Sequence, residues 1–180
     1  MPAPTLSPNP ETDALIVVDV QPDFMPGGAL PVPGGDEILP LVHALMPRFG
    51  RVVATQDWHP PGHLSFASQH QGRAPFEVVD FPYGPQTLWP DHCVQGTPGA
   101  ALHPALETRP LQAIFRKGMR RAVDSYSGFT ENDRRTGTGL AGYLRELGVR
   151  VNQSSAAIAS VSRLQDLAQA DAFGAMSKVI

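Results

Sequence analysis

Asp57 and His59 stand two residues apart in the stretch TQDWHPPGH, residues 55–63. In extended chain that spacing puts both side chains on one face, about 6–7 Å apart at Cα. A carboxylate oxygen and an imidazole nitrogen from one strand end can grip one cation. Pro60 and Pro61 stiffen the turn that follows, and Gly62 lets His63 fold back. A further ligand can come from His92 in LWPDHCVQGTPG, another loop framed by proline and glycine. A mixed Asp/His set suits Zn²⁺, Fe²⁺ or Mn²⁺, with water in the open positions. The competing reading is a polar loop with ordinary surface histidines.

These residues need elements to hold them. ALIVVDV, residues 14–20, reads as a buried strand that ends in a charge. Residues 36–46 read as a helix with apolar positions 38, 41, 42 and 45, and Pro40 falls near its first turn. RVVAT, residues 51–55, is a second strand, and LQAIFRKG, residues 111–118, holds a third. Residues 138–148 predict a helix with Thr138 as N-cap and Gly148 just past its end, and residues 149–151 start a fourth strand. Strands alternating with helices predict a mainly parallel sheet in a single-domain, three-layer α/β/α arrangement. Ligands in such sheets bind beyond the carboxyl ends of the strands. Asp19, Asp57 with His59, and Lys117 all fall at such ends.

Bulk properties narrow the function classes. The 180 residues suit one domain, with residues 1–12 as a loose Pro-rich arm. The formal charge of −3 comes with no basic stripe, which argues against a nucleic-acid partner. Apolar runs stop at five or six residues, far below the roughly 20 that span a bilayer. The single cysteine, Cys93, excludes an internal disulfide, and the cytoplasm is the expected compartment. The 19 prolines and 17 glycines concentrate between Pro22 and Pro110, so the middle of the chain is loop-rich in the manner of functional loops.

Four stretches together resemble the nicotinamidases, or pyrazinamidases, of the isochorismatase-like hydrolases. They are ALIVVDVQPDFMPGGALPVPGG, VVATQDWHPPGHLSFAS, LWPDHCVQGTPGAALHPAL and IFRKGMRRAVDSYSGFTEN, in the family's order across residues 13–151. The resemblance implies a metal-dependent amidohydrolase that converts nicotinamide to nicotinic acid and ammonia, with pyrazinamide as a further substrate. It implies Asp19 as general base, Lys117 as catalytic lysine, and Asp57, His59 and His92 as ligands of one divalent metal. His63 falls where some members supply an additional ligand, and Phe24 and Trp89 match the walls that hold the pyridine ring. These roles are chemically sound. A carboxylate beside a thiol can take its proton, and a nearby ammonium favours the anions. Singly, each residue has a plainer reading: Asp19 as a cap, Lys117 as a solvated charge, Phe24 and Trp89 as core.

The tail departs from the family pattern. A nucleophilic cysteine should follow the fourth strand, but no cysteine occurs after Cys93. Ungapped counting puts that position near Ser162, a weak substitute because a hydroxyl's pKa lies far above a thiol's. Residues 152–180 carry apolar positions 158, 161, 164 and 167 and predict a helical, non-matching tail. The C-terminal part therefore reads as truncated or altered. The alternative function is a catalytically inactive variant that binds metal and a pyridine ligand; a weaker option is a metallohydrolase using metal-bound water. Cys93 reads as a small semi-buried loop residue. A homo-oligomer is compatible with the sequence, which leaves the choice of metal and the oligomeric state open.

Overall fold

The computed structural model describes residues 8–149 and 156–160. Its centre is a four-stranded sheet in the order β5-β2-β1-β6, with every pair parallel. The strands are β1 (Ala14–Val18), β2 (Arg51–Asp57), β5 (Ala113–Lys117) and β6 (Ala156–Ser160). A separate antiparallel hairpin joins β3 (Val78–Phe81) to β4 (Gly84–Thr87). The helices are α1 (Ile38–Leu45) and α2 (Leu140–Glu146).

β1 is apolar throughout because it is covered on both faces. Leu15 and Val17 pack with Ile38, Val42 and Leu45 of α1. Ala14 and Ile16 point the other way, into Leu140 and Leu144 of α2. The strand's two-residue alternation thus feeds two cores, and the fold is the expected three-layer α/β/α. From β1 the chain builds outward through β2 to β5, then returns to β6 on β1's other side. That reversal makes a topological switch point beside β1, where parallel sheets open a crevice.

The elements depart from the sequence reading in five places. β1 stops at Val18 because Asp19 takes φ 52°, a left-handed conformation that leaves the strand. β2 runs on to Asp57, since Gln56 and Asp57 pair with Arg116 and Lys117 of β5. A 3₁₀ turn (Gly35–Glu37) precedes α1, and α2 begins at Leu140, with Thr138 Oγ1 accepting its N–H at 3.3 Å. Of the stretch expected to start the fourth strand, 149–151, only Val149 lies within the described residues. Gly148 turns the chain at φ 72°, Val149 drops into the α2 core, and the strand forms at Ala156–Ser160, inside the stretch expected to be helical. A four-residue apolar run, Ala156–Ala159, is too short for periodicity to separate strand from helix. Ser162 lies outside the described residues. Among the described residues no helix is long and apolar enough to cross a membrane.

Candidate active site and metal centre

The carboxyl ends of β1, β2 and β5 deliver Asp19, Asp57 and Lys117 to one point. Lys117 Nζ donates to Asp57 Oδ1 at 2.5 Å and to the Ser125 carbonyl at 3.0 Å, and lies 2.9 Å from Asp19 Oδ2. An ammonium has three N–H donors, so all three are used. Asp19 is fixed on its other oxygen by the Thr55 hydroxyl, 2.7 Å away. Its left-handed backbone aims the carboxylate at the crevice instead of along the strand.

The three groups set one another's charge. Burial opposes the Lys117 ammonium, but Asp19 and Asp57 outweigh it and hold its pKa above the ordinary lysine value. Burial likewise opposes charge on Asp57, yet Lys117, His59 and His92 keep its carboxyl well below the usual carboxylate range. Asp19 goes the other way. Burial raises its pKa, and Lys117 only partly offsets that.

Asp57 divides its two oxygens. Oδ1 serves Lys117, while Oδ2 lies 3.7 Å from His59 Nε2 and 3.9 Å from His92 Nε2. Both imidazoles are oriented from behind. His59 Nδ1 donates to the Gly118 carbonyl at 2.9 Å, and His92 Nδ1 to the Pro90 carbonyl at 2.8 Å. In the neutral imidazoles each Nε2 then presents a lone pair toward Asp57. Gly118 takes φ 65°, and a Cβ there would overlap the His59 ring, so the glycine after Lys117 is what lets this histidine sit against the strand end. The ligand-type atoms of Asp57, His59 and His92 all lie within 4.8 Å of one another, and all three residues are buried. His59 Nε2 is a buried polar atom with no hydrogen-bond partner. An orphaned lone pair beside a carboxylate and a second imidazole nitrogen is the donor set of a divalent transition metal, so these residues fit one.

His63 sits beside His59, with ring centroids 4.5 Å apart. Both its nitrogens are engaged. Nε2 lies 2.9 and 3.2 Å from the carbonyls of Arg120 and Val123, and Nδ1 lies 2.8 Å from Ser65 Oγ.

Above the charged floor is a cavity of about 230 Å³. Asp19, Asp57, Lys117 and His92 line it, and Phe24 and Trp89 form part of its wall. Phe24 meets His92 edge-on at 5.6 Å. The pair expected to flank a flat ring thus shares one cavity with the metal-type ligands. Cys93 is fully buried, in a left-handed turn at φ 47° whose N–H donates to Asp23 Oδ2 at 2.6 Å. Burial, then Asp57, Asp23 and Asp19, push its thiol far above the usual range, so it is not a thiolate.

Several residues were not singled out from sequence. Gln21 grips the Asp57 peptide from both sides: its amide accepts the Asp57 N–H at 2.8 Å and donates to the Asp57 carbonyl at 2.9 Å. Asp124, Ser125 and Tyr126 line the cavity from the loop after β5. Glu131 Oε2 accepts the Gly118 N–H at 3.2 Å. The signal was present as text, since Gln21 lies in VDVQPDF and the others in VDSYSGFTEN. What was missing was the turn after β5 that brings them back over Lys117.

The class defined by this geometry is a parallel α/β protein with a buried carboxylate–lysine–imidazole centre at its switch point. The isochorismatase domain matches residues 13–159, and the chain belongs to that family. It is similar to the nicotinamidase of Acinetobacter baylyi, 59% identical over 136 residues, covering 76% of this chain and 64% of the relative. The chain thus spans just under two thirds of that relative's length. Among solved structures it is similar to an Acinetobacter baumanii nicotinamidase pyrazinamidase, with TM-score 0.79 and 48% identity over 83% of this chain and 70% of that one. It is also similar to the pyrazinamidase of Pyrococcus horikoshii in complex with zinc, with TM-score 0.58 and 38% identity over 83% of this chain and 69% of that one.

Proposed function

We propose that the chain carries the site of a nicotinamide amidohydrolase, releasing nicotinic acid and ammonia, with pyrazinamide as a second substrate. The carrying observation is the Lys117 ammonium bridging Asp19 and Asp57 at the floor of a cavity walled by Phe24 and Trp89. The names of the similar nicotinamidases support the substrate class.

Each residue has a task that follows from its placement. Phe24 and Trp89 offer apolar surface to a flat heteroaromatic ring. Asp19 accepts a proton from the attacking group and later returns one to the departing ammonia. Burial raises its pKa toward that task, and Lys117 partly opposes that rise while holding it in place. Asp57, His59 and His92 would hold a divalent metal, Zn²⁺, Fe²⁺ or Mn²⁺, and a zinc-bound relative supports that. When bound, the ion supplies a fixed positive charge and a Lewis-acid position for a ring nitrogen. Ser162, counted as the position of the attacking group, lies outside the described residues, so the reading rests on the groups that surround the carboxamide.

The test is ammonia release from nicotinamide by the full chain, compared with Asp19→Asn and Lys117→Met. Release by the wild type that falls to background in both variants supports the reading. Release that survives both, or no release with no nicotinic acid binding, overturns it.

A further inference from the structure

Asp124 lies beside the metal-type ligands and is 2% exposed. Its Oδ1 accepts the Ser125 N–H at 2.8 Å and stands 4.0 Å from His59 Nε2. Its Oδ2 accepts from Gln86 Nε2 at 2.7 Å, an amide brought in by the β3–β4 hairpin. The unpartnered His59 Nε2 therefore has two carboxylates near it, Asp57 at 3.7 Å and Asp124 at 4.0 Å. Two carboxylates facing one imidazole nitrogen at a dry point favour a cation between them, a proton on His59 or, in its place, a metal ion.

His59, His63 and Asp124 form a second trio of ligand-type atoms within 4.8 Å. Both nitrogens of His63 are already engaged. Its Nε2 faces two carbonyls and must donate, while Nδ1 accepts the Ser65 N–H at 3.1 Å. Asp124 is the member of that trio with an oxygen to offer. Charge points to the same conclusion. Asp19, Asp57 and Asp124 line the cavity against one ammonium, Lys117. Three carboxyl groups against one ammonium favour a cation among them.

We propose that Asp124 is the second carboxylate of the metal centre, turning Oδ1 toward a divalent ion on His59 and raising the site's affinity through its charge. The inference rests on the metal reading above. Gln86 and the Ser125 N–H hold the carboxylate in register, so the hairpin supports the ion from outside the ligand set.

The experiment uses full-length protein stripped with chelator and titrated with Co²⁺, followed by its visible absorption, with Zn²⁺ competition for affinity. Apo unfolding of every variant is recorded alongside. Asp124→Asn is expected to weaken Co²⁺ binding by about 10–100-fold and to shift the absorption band, while Asp57→Asn abolishes binding. Gln86→Met keeps every ligand but frees Oδ2, and it should weaken binding several-fold. If the wild type binds no Co²⁺, the metal reading fails and this inference with it. If binding depends on Asp57 yet is unchanged in Asp124→Asn, Asp124 is only structural and this inference alone is overturned. Should Asp124→Asn not fold, unchanged affinity in Gln86→Met overturns it equally.

Discussion

Lys117 and Asp57 meet at 2.5 Å between Nζ and Oδ1, across neighbouring parallel strands, with both side chains buried. The contact ties the Asp19–Lys117 half of the site to the metal-type half, because the same carboxylate turns Oδ2 to His59 and His92. A change in one half must therefore register in the other.

Removing the cation tests this. In metal-free Lys117→Met, Asp19 and Asp57 would share a dry site without compensation. Breaking a buried pair from one side costs about 3–5 kcal/mol. The sign with pH follows from the shifts. Asp57's folded pKa is depressed, so its stabilisation is present above the unfolded value of 3.8 and lost as pH falls through the folded one. Lys117's is raised, so its share is present below 10.5 and lost as pH rises through its folded pKa. The wild type keeps both at neutral pH. The variant's carboxyls escape repulsion by binding a proton, so its deficit in urea unfolding should be larger at pH 8 than at pH 4.5.

Zinc should stabilise the protein through linkage. An ion that binds only the folded state adds about 2.7 kcal/mol at 100 times its Kd. Thermal unfolding with and without chelator should show this gain in the wild type. His59→Ala and His92→Ala should lose it, and an equal gain in those variants would place the ion elsewhere.

Gly118 is expected to be intolerant of a methyl group. Gly118→Ala meets both a left-handed backbone and the His59 ring. Strain of this kind costs on the order of 1–3 kcal/mol. Because the obstacle is a metal-type ligand, zinc affinity should fall further than apo stability alone accounts for. Isothermal titration with Zn²⁺ against urea unfolding separates the two effects.

The parts legible in the sequence were those with local causes. β1 announces itself as ALIVV because both its faces are covered, and D-x-H at the end of β2 reads directly as two groups on one face. Lys117 was legible as a strand end, and the Asp19 to Lys117 distance of 2.9 Å is shorter than a strand-end argument alone requires. Other features depend on contacts remote in sequence. Gln21 reaches the Asp57 peptide across 36 positions, and Asp124 meets Gln86 across 38. No periodicity encodes such pairs. His63 was singled out by residue type, but its place among carbonyls depends on where the 120–123 turn returns. β6 escaped because AAIAS lacks the length and branching that mark a strand.

Phe24→Ala should weaken nicotinic acid binding to the metal-loaded protein by about 1–3 kcal/mol, the scale of losing a buried aromatic contact. Calorimetric titration measures it. Equal affinity in the variant would assign Phe24 to the Leu15–Val42 core, against which its ring also packs.

The acid limb of activity offers the last test, because it reports on one residue. Asp19 must be ionised to accept a proton, so the rate should rise with pH as Asp19 loses its own. Burial raises its pKa above 3.8, with Lys117 opposing. The limb should therefore lie above the range of an ordinary aspartate. Thr55→Val removes a hydrogen bond of 2.7 Å that favours the carboxylate. It should move the limb further up in pH and leave the plateau rate less affected. Asp19→Asn should abolish the limb together with the rate. The measurement is initial ammonia release from nicotinamide across pH 4–9, at fixed ionic strength and saturating zinc. A Thr55→Val limb that stays in place would mean that some group other than Asp19 takes the proton.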